Sequence, residues 1–220
     1  MKILNLYACL GGNRYKWNEV KEDIEVTAVE LDPEAARLYQ ERFPNDTVIV
    51  ADAHQYLLDH YKEFDFIWSS PPCPTHSKVR FSQHTKESHI PKYPDMQLYQ
   101  EIIFLDNYFK GQYCVENVTP YYEPLILAKK RGRHLYWTNF NLPNDLRERK
   151  LSGILCRMED EVKSLSKFHD FNFNLYKGKQ RRDKIARNLV DYEVGKTILE
   201  TALGIIKKED VSQTTIFDTL

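Results

Sequence analysis

Cys73 follows the run Phe64-Asp65-Phe66-Ile67-Trp68-Ser69-Ser70-Pro71-Pro72. The aromatic-rich apolar stretch reads as a buried strand, stopped by two serines and two prolines. The cysteine therefore stands at the carboxyl end of a strand, the edge where open α/β sheets bind ligands. A thiolate held there by a stiff Pro-Pro turn can add to an electron-poor ring. A lone cysteine in such a place can equally be buried and inert. Glu116 ends a second run, Tyr113-Cys114-Val115, and a carboxylic acid at a neighbouring strand end can protonate or hydrogen-bond a ring nitrogen. Arg133 can bind a carbonyl oxygen and hold the acid's orientation. The alternative for Glu116 and Arg133 is a salt bridge at the sheet edge.

Three more strand ends suit a cofactor. Gly11-Gly12 permits close approach of backbone to a ligand. Glu30 has the type and position of an acid that binds ribose hydroxyls, or is a surface acid at a helix start. Asp52 can accept from an adenine amino group, or simply cap a helix. The glycine pattern is not G-x-G-x-x-G, and no phosphate loop with Lys-Ser/Thr occurs. An adenosyl cofactor without phosphates fits these residues better than a dinucleotide.

The elements that must position these groups alternate. Strands are expected at 3–7, 25–30, 47–50, 113–118 and 134–138, with the central one in the run from Phe64 that leads to Cys73. Helices are expected from Asp32-Pro33-Glu34 to about Phe43, from about His54 to Tyr61, from Asp95 to about Lys110, and from Tyr121 to Lys130. The first of these has a capping Asp, a Pro at the first helical position and an acid in the first turn. Alternation of this kind implies an α/β fold with a doubly wound, mainly parallel sheet. Residues 75–92 show no period and read as a long mobile loop. Its histidines, His76, His84 and His89, fit no metal-ligand spacing, and no metal is expected. From 141 to 184 the sequence is polar and basic. A helical pattern returns from Ala186 to about Ile206, and 207–220 reads as a frayed tail.

Hydrophobic residues make up 42% and charged residues 29% of the 220, as in ordinary soluble globular proteins. No apolar run reaches membrane-spanning length. Met1-Lys2 leads straight into Ile3-Leu4-Asn5-Leu6, leaving no room for a signal peptide. Cys9, Cys73, Cys114 and Cys156 form no C-x-x-C pair, which disfavours a zinc site or disulfide framework and suits a reducing cytosol. The net charge of −1 argues against indiscriminate nucleic-acid binding. Basic residues nevertheless group in the second half, at 129–134, 147–150 and 177–184, which makes a phosphate-binding face plausible.

Together the motifs resemble the cytosine-5 DNA methyltransferases, which use S-adenosylmethionine. Tyr7-Ala8-Cys9-Leu10-Gly11-Gly12 is similar to the family's Phe-Ala-Gly-x-Gly-Gly turn, with Cys9 in place of its first glycine. Glu30-Leu31-Asp32 matches the ribose motif, and Asp52 the adenine-binding acid. Pro71-Pro72-Cys73 with Ser77 matches the nucleophile loop, with Pro74 where glutamine is usual. Glu116-Asn117-Val118 and Arg131-Gly132-Arg133 match Glu-Asn-Val and Arg-x-Arg. Asn188 with Val190 is similar to the closing Gly-Asn-x-Val, with Arg187 in place of the glycine.

The resemblance implies the Rossmann-like methyltransferase fold with a small recognition segment. It divides the chain into a catalytic domain (1–140), a recognition segment (141–186), a returning helix (187–208) and a flexible tail (209–220). Cys73, Glu116, Arg131 and Arg133 become the catalytic group. Tyr7, Ala8, Leu10, Gly11, Gly12, Glu30, Leu31, Asp52, Ala53, Pro72 and Asn188 become the cofactor site. Ser77, Lys177, Lys179, Arg181 and Arg182 become contacts to double-stranded DNA. The implied reaction is methylation at carbon 5 of a flipped-out cytosine through a covalent Cys73 adduct, in restriction-modification or a related role. Methylation of transfer RNA, or an inactive nucleic-acid-binding subunit, are the alternatives. A short reader implies a short or degenerate recognition site. A monomer, cytoplasmic and of prokaryotic or phage origin, is expected. Gln213-Thr214-Thr215-Ile216-Phe217 resembles the peptide that docks on bacterial sliding clamps.

Overall fold

The computed structural model describes residues 1–82, 90–151 and 158–205. In chain order the elements are β1 (Lys2–Leu6), α1 (Trp17–Val20), β2 (Glu25–Glu30), α2 (Pro33–Arg42), β3 (Thr47–Val50), α3 (Ala53–His60), β4 (Phe66–Ser69), α4 (Lys78–Phe81), α5 (Gln97–Tyr108), β5 (Gln112–Val118), β6 (Lys129–Arg131), β7 (His134–Thr138), α6 (Met158–His169), α7 (Arg182–Arg187) and α8 (Tyr192–Ala202). Single 3-10 turns lie at Tyr61–Glu63 and Phe173–Leu175.

The strands form one sheet in the order β3-β2-β1-β4-β5-β7-β6. The pairs from β3 to β5 are parallel, while β5–β7 and β7–β6 are antiparallel. This is the doubly wound, mainly parallel α/β fold. Central parallel strands are covered on both faces, so they read as continuous apolar runs. Phe66-Ile67-Trp68-Ser69 is buried throughout. Leu4, Leu6 and Ile67 pack against Ile102 and Leu105 of α5. Ile3, Phe66 and Trp68 pack on the other face against Trp17, Ile198 and Leu199. The chain order reverses between β1 and β4, which opens a crevice at their carboxyl ends.

The helix expected at 121–130 does not form. Pro124 pushes Glu123 out of the helical region, and Lys129–Arg131 instead turns back as the edge strand β6 on β7. The expected single helix at 186–206 is broken. α7 ends at Arg187 and α8 begins after Asp191, whose side chain caps it through the Glu193 N–H at 3.1 Å. Between them the Val190 carbonyl lies over Gly12, where a Cβ would approach it to 2.4 Å. The loop expected at 75–92 contains the short helix α4; its residues 83–89, with His84 and His89, lie outside the described residues. The polar stretch at 141–184 holds α6 and α7. Val162, Leu165, Phe173 and Ile185 share one apolar cluster with Leu10, Ala35 and Leu38. Cys156, Ile206 and the tail with Gln213–Phe217 lie outside the described residues. Among the described residues no helix is long and apolar enough to cross a membrane.

Candidate active site

The crevice has a reactive half at the ends of β4, β5 and β7. Asn117 Nδ2 donates to the Pro71 carbonyl at 3.0 Å, tying the Pro-Pro loop to β5. The Cys73 carbonyl accepts the N–H groups of His76 and Ser77 at 3.0 and 3.1 Å, which closes a tight turn around the cysteine. Ser77 then bridges to Pro120, and its Oγ accepts the Val79 N–H at the start of α4. His76 is buried, with Nδ1 2.6 Å from Tyr122 Oη and Nε2 without a partner. Cys73 is thus half-buried on a loop pinned at both ends.

Its thiol is pushed above the ordinary cysteine value, first by burial and then by the Glu116 carboxylate. Lys184 and Arg133 pull it the other way. Glu116, Lys184 and Arg133 are the charged side chains whose fields bear on the sulfur. Glu116 is 7% exposed, and its polar neighbour is His134, whose Nε2 lies 3.6 Å from Oε1. Arg133 is presented by the β6–β7 turn, in which Gly132 has φ +55°. The Arg133 carbonyl accepts the Thr119 N–H and Oγ1 just beyond β5, both at 3.0 Å. Among the described residues the Arg133 guanidinium has no hydrogen-bond or ion-pair partner.

Arg131, expected in this group, is not brought to it. Its guanidinium donates to the carbonyls of Pro143, Lys130 and Leu142. A strand reverses side-chain direction at each residue, and the tight turn that presents Arg133 leaves Arg131 facing the returning chain.

The other half lies at the ends of β1, β2 and β3. Tyr7 and Cys9 have φ of +56° and +47°. The second value is the left-handed region that favours glycine, which accounts for the glycine usual at this point of the motif. Burial and the nearby Glu30 push the Cys9 thiol up, so it is no rival nucleophile. Glu30 accepts the N–H groups of Cys9 and Asp32, each at 2.8 Å, and its carboxyl is raised chiefly by burial. Leu31 beside it is 68% exposed. Asp52 caps α3 through the Gln55 N–H at 3.0 Å, and Ala53 is buried behind it. Ala8 receives the Gly11 N–H in the turn, and Gly11 lies against the Tyr39 and Phe43 rings.

This donor set fits an adenosyl group. Two carboxylates at adjacent strand ends flank an exposed leucine, suited to a diol, an amino group and a flat ring. Of the other expected residues, Leu10 and Gly12 pack within the scaffold, while Pro72 and Asn188 are exposed. Leu10 is buried in the cluster with α6 and α7. Gly12 admits the Val190 carbonyl. Pro72 is exposed beside Cys73, and Asn188 ends α7 with its N–H on Lys184 and Ile185.

Glu101 of α5 was not anticipated. Its carboxylate, 1% exposed, accepts from Tyr7 Oη at 2.5 Å and Ser69 Oγ at 2.6 Å and meets His54 Nδ1 at 3.0 Å. It joins the cofactor turn to the strand that leads to Cys73. Glu101, His134 and Lys184 stand in a helix, a strand and a polar stretch with no local signal of their role. Asn117 lay within a recognised motif.

Of the expected nucleic-acid contacts, Ser77 lies beside Cys73, and the basic ones gather elsewhere. Lys177, Arg181 and Arg182 line a cleft of about 1180 Å³ between α6 and the Phe173–Leu175 turn. Lys177 and Lys179 are exposed, Arg181 pairs with Asp183, and Arg182 donates to Asn174. A smaller cavity, about 580 Å³, is walled by Arg133, His134 and His169 and opens beside the catalytic edge. His169 is held neutral by burial, its value lowered to about 4.

No curated protein sequence matches the chain. Among solved structures, methyltransferase EhMeth of Entamoeba histolytica is 12% identical, covers 94% of this chain and 99% of its own, and has a TM-score of 0.53. A mutant of DNMT2 from Spodoptera frugiperda is 26% identical over 53% of this chain, with a TM-score of 0.38. The chain spans 35% of that protein's length. A TehB-like SAM-dependent methyltransferase from Corynebacterium glutamicum is 17% identical, over 53% of this chain and 54% of its own, with a TM-score of 0.34. The family model described as C-5 cytosine-specific DNA methylase matches residues 1–118. That match ends on the last residue of β5, so it spans the cofactor turn, the Pro-Pro-Cys loop and Glu116. A match over more than half the chain, ending where the acid is delivered to the sheet edge, means that the chain belongs to the C-5 cytosine-specific DNA methylases, whose methyl donor is S-adenosylmethionine.

Proposed function

We propose that the protein is a DNA cytosine-5 methyltransferase. The observation that carries this reading is the delivery of Cys73, Glu116 and Arg133 to one sheet edge, by the loop after β4, the end of β5 and the β6–β7 turn, with the Cys73 loop tied to β5 through Asn117. S-adenosylmethionine, held by the Tyr7–Gly11 turn, Glu30, Leu31 and Asp52, supplies the methyl group that carbon 5 of the base accepts. A cytosine flipped from the duplex enters the crevice beside β4 and β5. The Cys73 thiol gives up its proton to water, and the resulting thiolate forms a bond to carbon 6 as the 5,6 double bond opens. Glu116 holds a proton at ring nitrogen 3, so that the ring accepts the sulfur's electron pair. Arg133 binds the carbonyl oxygen and turns the base toward Glu116. After methyl transfer the carbon 5 proton passes to water, the 5,6 double bond re-forms as the sulfur–carbon bond breaks, ring nitrogen 3 returns its proton to Glu116, and 5-methylcytosine is released.

In this reading Lys177, Lys179, Arg181, Arg182 and Ser77 contact the substrate, and the segment 141–186 reads it. A 5-fluorocytosine substrate blocks loss of the carbon 5 substituent. With S-adenosylmethionine, the expected outcome is a covalent adduct at Cys73 on duplex DNA, abolished in Cys73→Ala. Matched RNA is run beside it. Trapping on transfer RNA alone replaces the substrate, and methylation by Cys73→Ala overturns the mechanism. The clamp-docking reading of Gln213–Phe217 rests on sequence. A peptide spanning Val211 to Leu220 is expected to bind a bacterial sliding clamp, and failure to bind removes it.

A further inference from the structure

We propose that His134 is a positioning residue for Glu116, holding its carboxyl group and relaying to it the proton that the target base's ring nitrogen takes. The proposal rests on the Cys73–Glu116 reading above. Glu116 pairs with Tyr136 and Val118 with His134 in the β5–β7 register. His134 is therefore the diagonal neighbour of Glu116 on one face of the sheet, within reach of a long side chain. The 3.6 Å separation of Nε2 and Oε1 is one small side-chain movement from a hydrogen bond. The Glu116 side chain is 9% exposed and that of His134 17%, at the wall of the 580 Å³ cavity. The imidazole can thus exchange a proton with cavity water where the more buried carboxyl group is less able to.

The relay is balanced. Starting from a carboxylate beside an imidazolium, the His134 Nε2–H bond breaks as the Glu116 carboxylate takes the proton, and that carboxyl O–H bond breaks as the ring nitrogen takes it in turn, leaving a carboxylate and a neutral imidazole. Each bond re-forms in reverse when the sulfur leaves. A carboxyl group alone ordinarily loses its proton near pH 4.3, an imidazole near 6.5.

Other charges face this imidazole. Arg131, opposite it in register, is occupied by backbone carbonyls. Across the cavity Arg149 is paired with Asp191, and Arg187 with Glu161. His169 is neutral above about pH 4. Arg133, Glu148 and Lys150 remain, and Glu116 is the carboxylate within ion-pair distance.

The test combines two measurements on the full chain. In the first, single-turnover adduct formation on 5-fluorocytosine DNA is followed from pH 5.5 to 9 for wild type, His134→Asn and His134→Phe. Asn can hydrogen-bond but cannot titrate. Both variants are expected to lose about tenfold in rate near neutral pH and to move the alkaline fall-off about 1 unit lower, with KM little changed. A wild-type profile in His134→Asn overturns the relay. So does a loss confined to KM. In the second, the His134 imidazole is titrated by NMR in wild type and Glu116→Gln, without substrate. Loss of the Glu116 carboxylate should lower its midpoint; an unchanged midpoint overturns the pairing. If wild type forms no adduct on DNA or RNA, the function proposed above fails, and the NMR comparison still decides the pairing.

Discussion

At the residue scale, the Cys73 thiol is set by opposing neighbours. Burial and Glu116 raise it, so it is mostly protonated at neutral pH, and the reactive thiolate becomes common only at higher pH. Alkylation of Cys73 by iodoacetamide, read peptide by peptide, should therefore be slow at pH 7 and climb with pH beyond the ordinary cysteine range. Glu116→Gln removes the anion and should speed alkylation by roughly three- to tenfold, while slowing methylation because the ring nitrogen loses its acid. Lys184→Ala removes a cation and should slow alkylation. Opposite signs for the two reactions in one variant distinguish a group that activates the base from one that activates the thiol. Faster methylation in Glu116→Gln would contradict the assignment.

At the element scale, the glycines of the first turn serve the fold at least as much as a ligand. α8 docks on the sheet through Val194, Ile198 and Leu199. Its Gly195 lies over Asn13, whose carbonyl a Cβ would meet at 2.1 Å, and Gly12 lies under the Val190 carbonyl. Chain before and after the Asp191 cap thus meets the cofactor turn backbone to backbone. Gly12→Ala or Gly195→Ala should cost about 1–3 kcal/mol through overpacking, lowering Tm by about 2–12 °C. Thermal unfolding without S-adenosylmethionine checks this, because a Gly12 that served only cofactor approach would leave that Tm unchanged.

At the scale of the whole molecule, two faces of the sheet are covered by helices and the carboxyl edge is left for chemistry. Residues 158–189 bury apolar side chains against Leu10, Ala35 and Leu38. Tyr176 Oη donates to Asp32 at 2.5 Å, and the Lys177 N–H to Glu34 at 3.1 Å. The segment that presents Lys177 and Lys179 is thereby built onto the start of α2. If both lysines neutralise phosphates, the Lys177→Ala/Lys179→Ala double variant should weaken DNA binding alike on all sequences. It should also reduce the salt dependence, the slope of log K against log salt, by about 2. Binding titrations over several salt concentrations check this, and an unchanged slope would return both lysines to the solvated surface.

What the sequence by itself determined is local. Apolar runs stopped by Pro, Gly or an acid place Cys73, Glu116, Glu30 and Asp52 at strand ends, because strand propensity and its interruption act over a few residues. The parallel order follows from the alternation of elements, and the family from motifs that sit at those ends. Tertiary structure alone decided which side chains meet. His134 reaches Glu116 through antiparallel register between β5 and β7. Lys184 acts on Cys73 from a stretch whose polarity reads as surface, because α7 is anchored by Ile185 and Ala186 in a cluster with α2. Arg131 is drawn to carbonyls that a later loop brings to it. The helical period of 186–206 does not reveal the break at 188–191, because the Val190 carbonyl is held by a turn at the other end of the chain. Contacts between residues far apart in sequence depend on the packed sheet, and no short-range pattern encodes them.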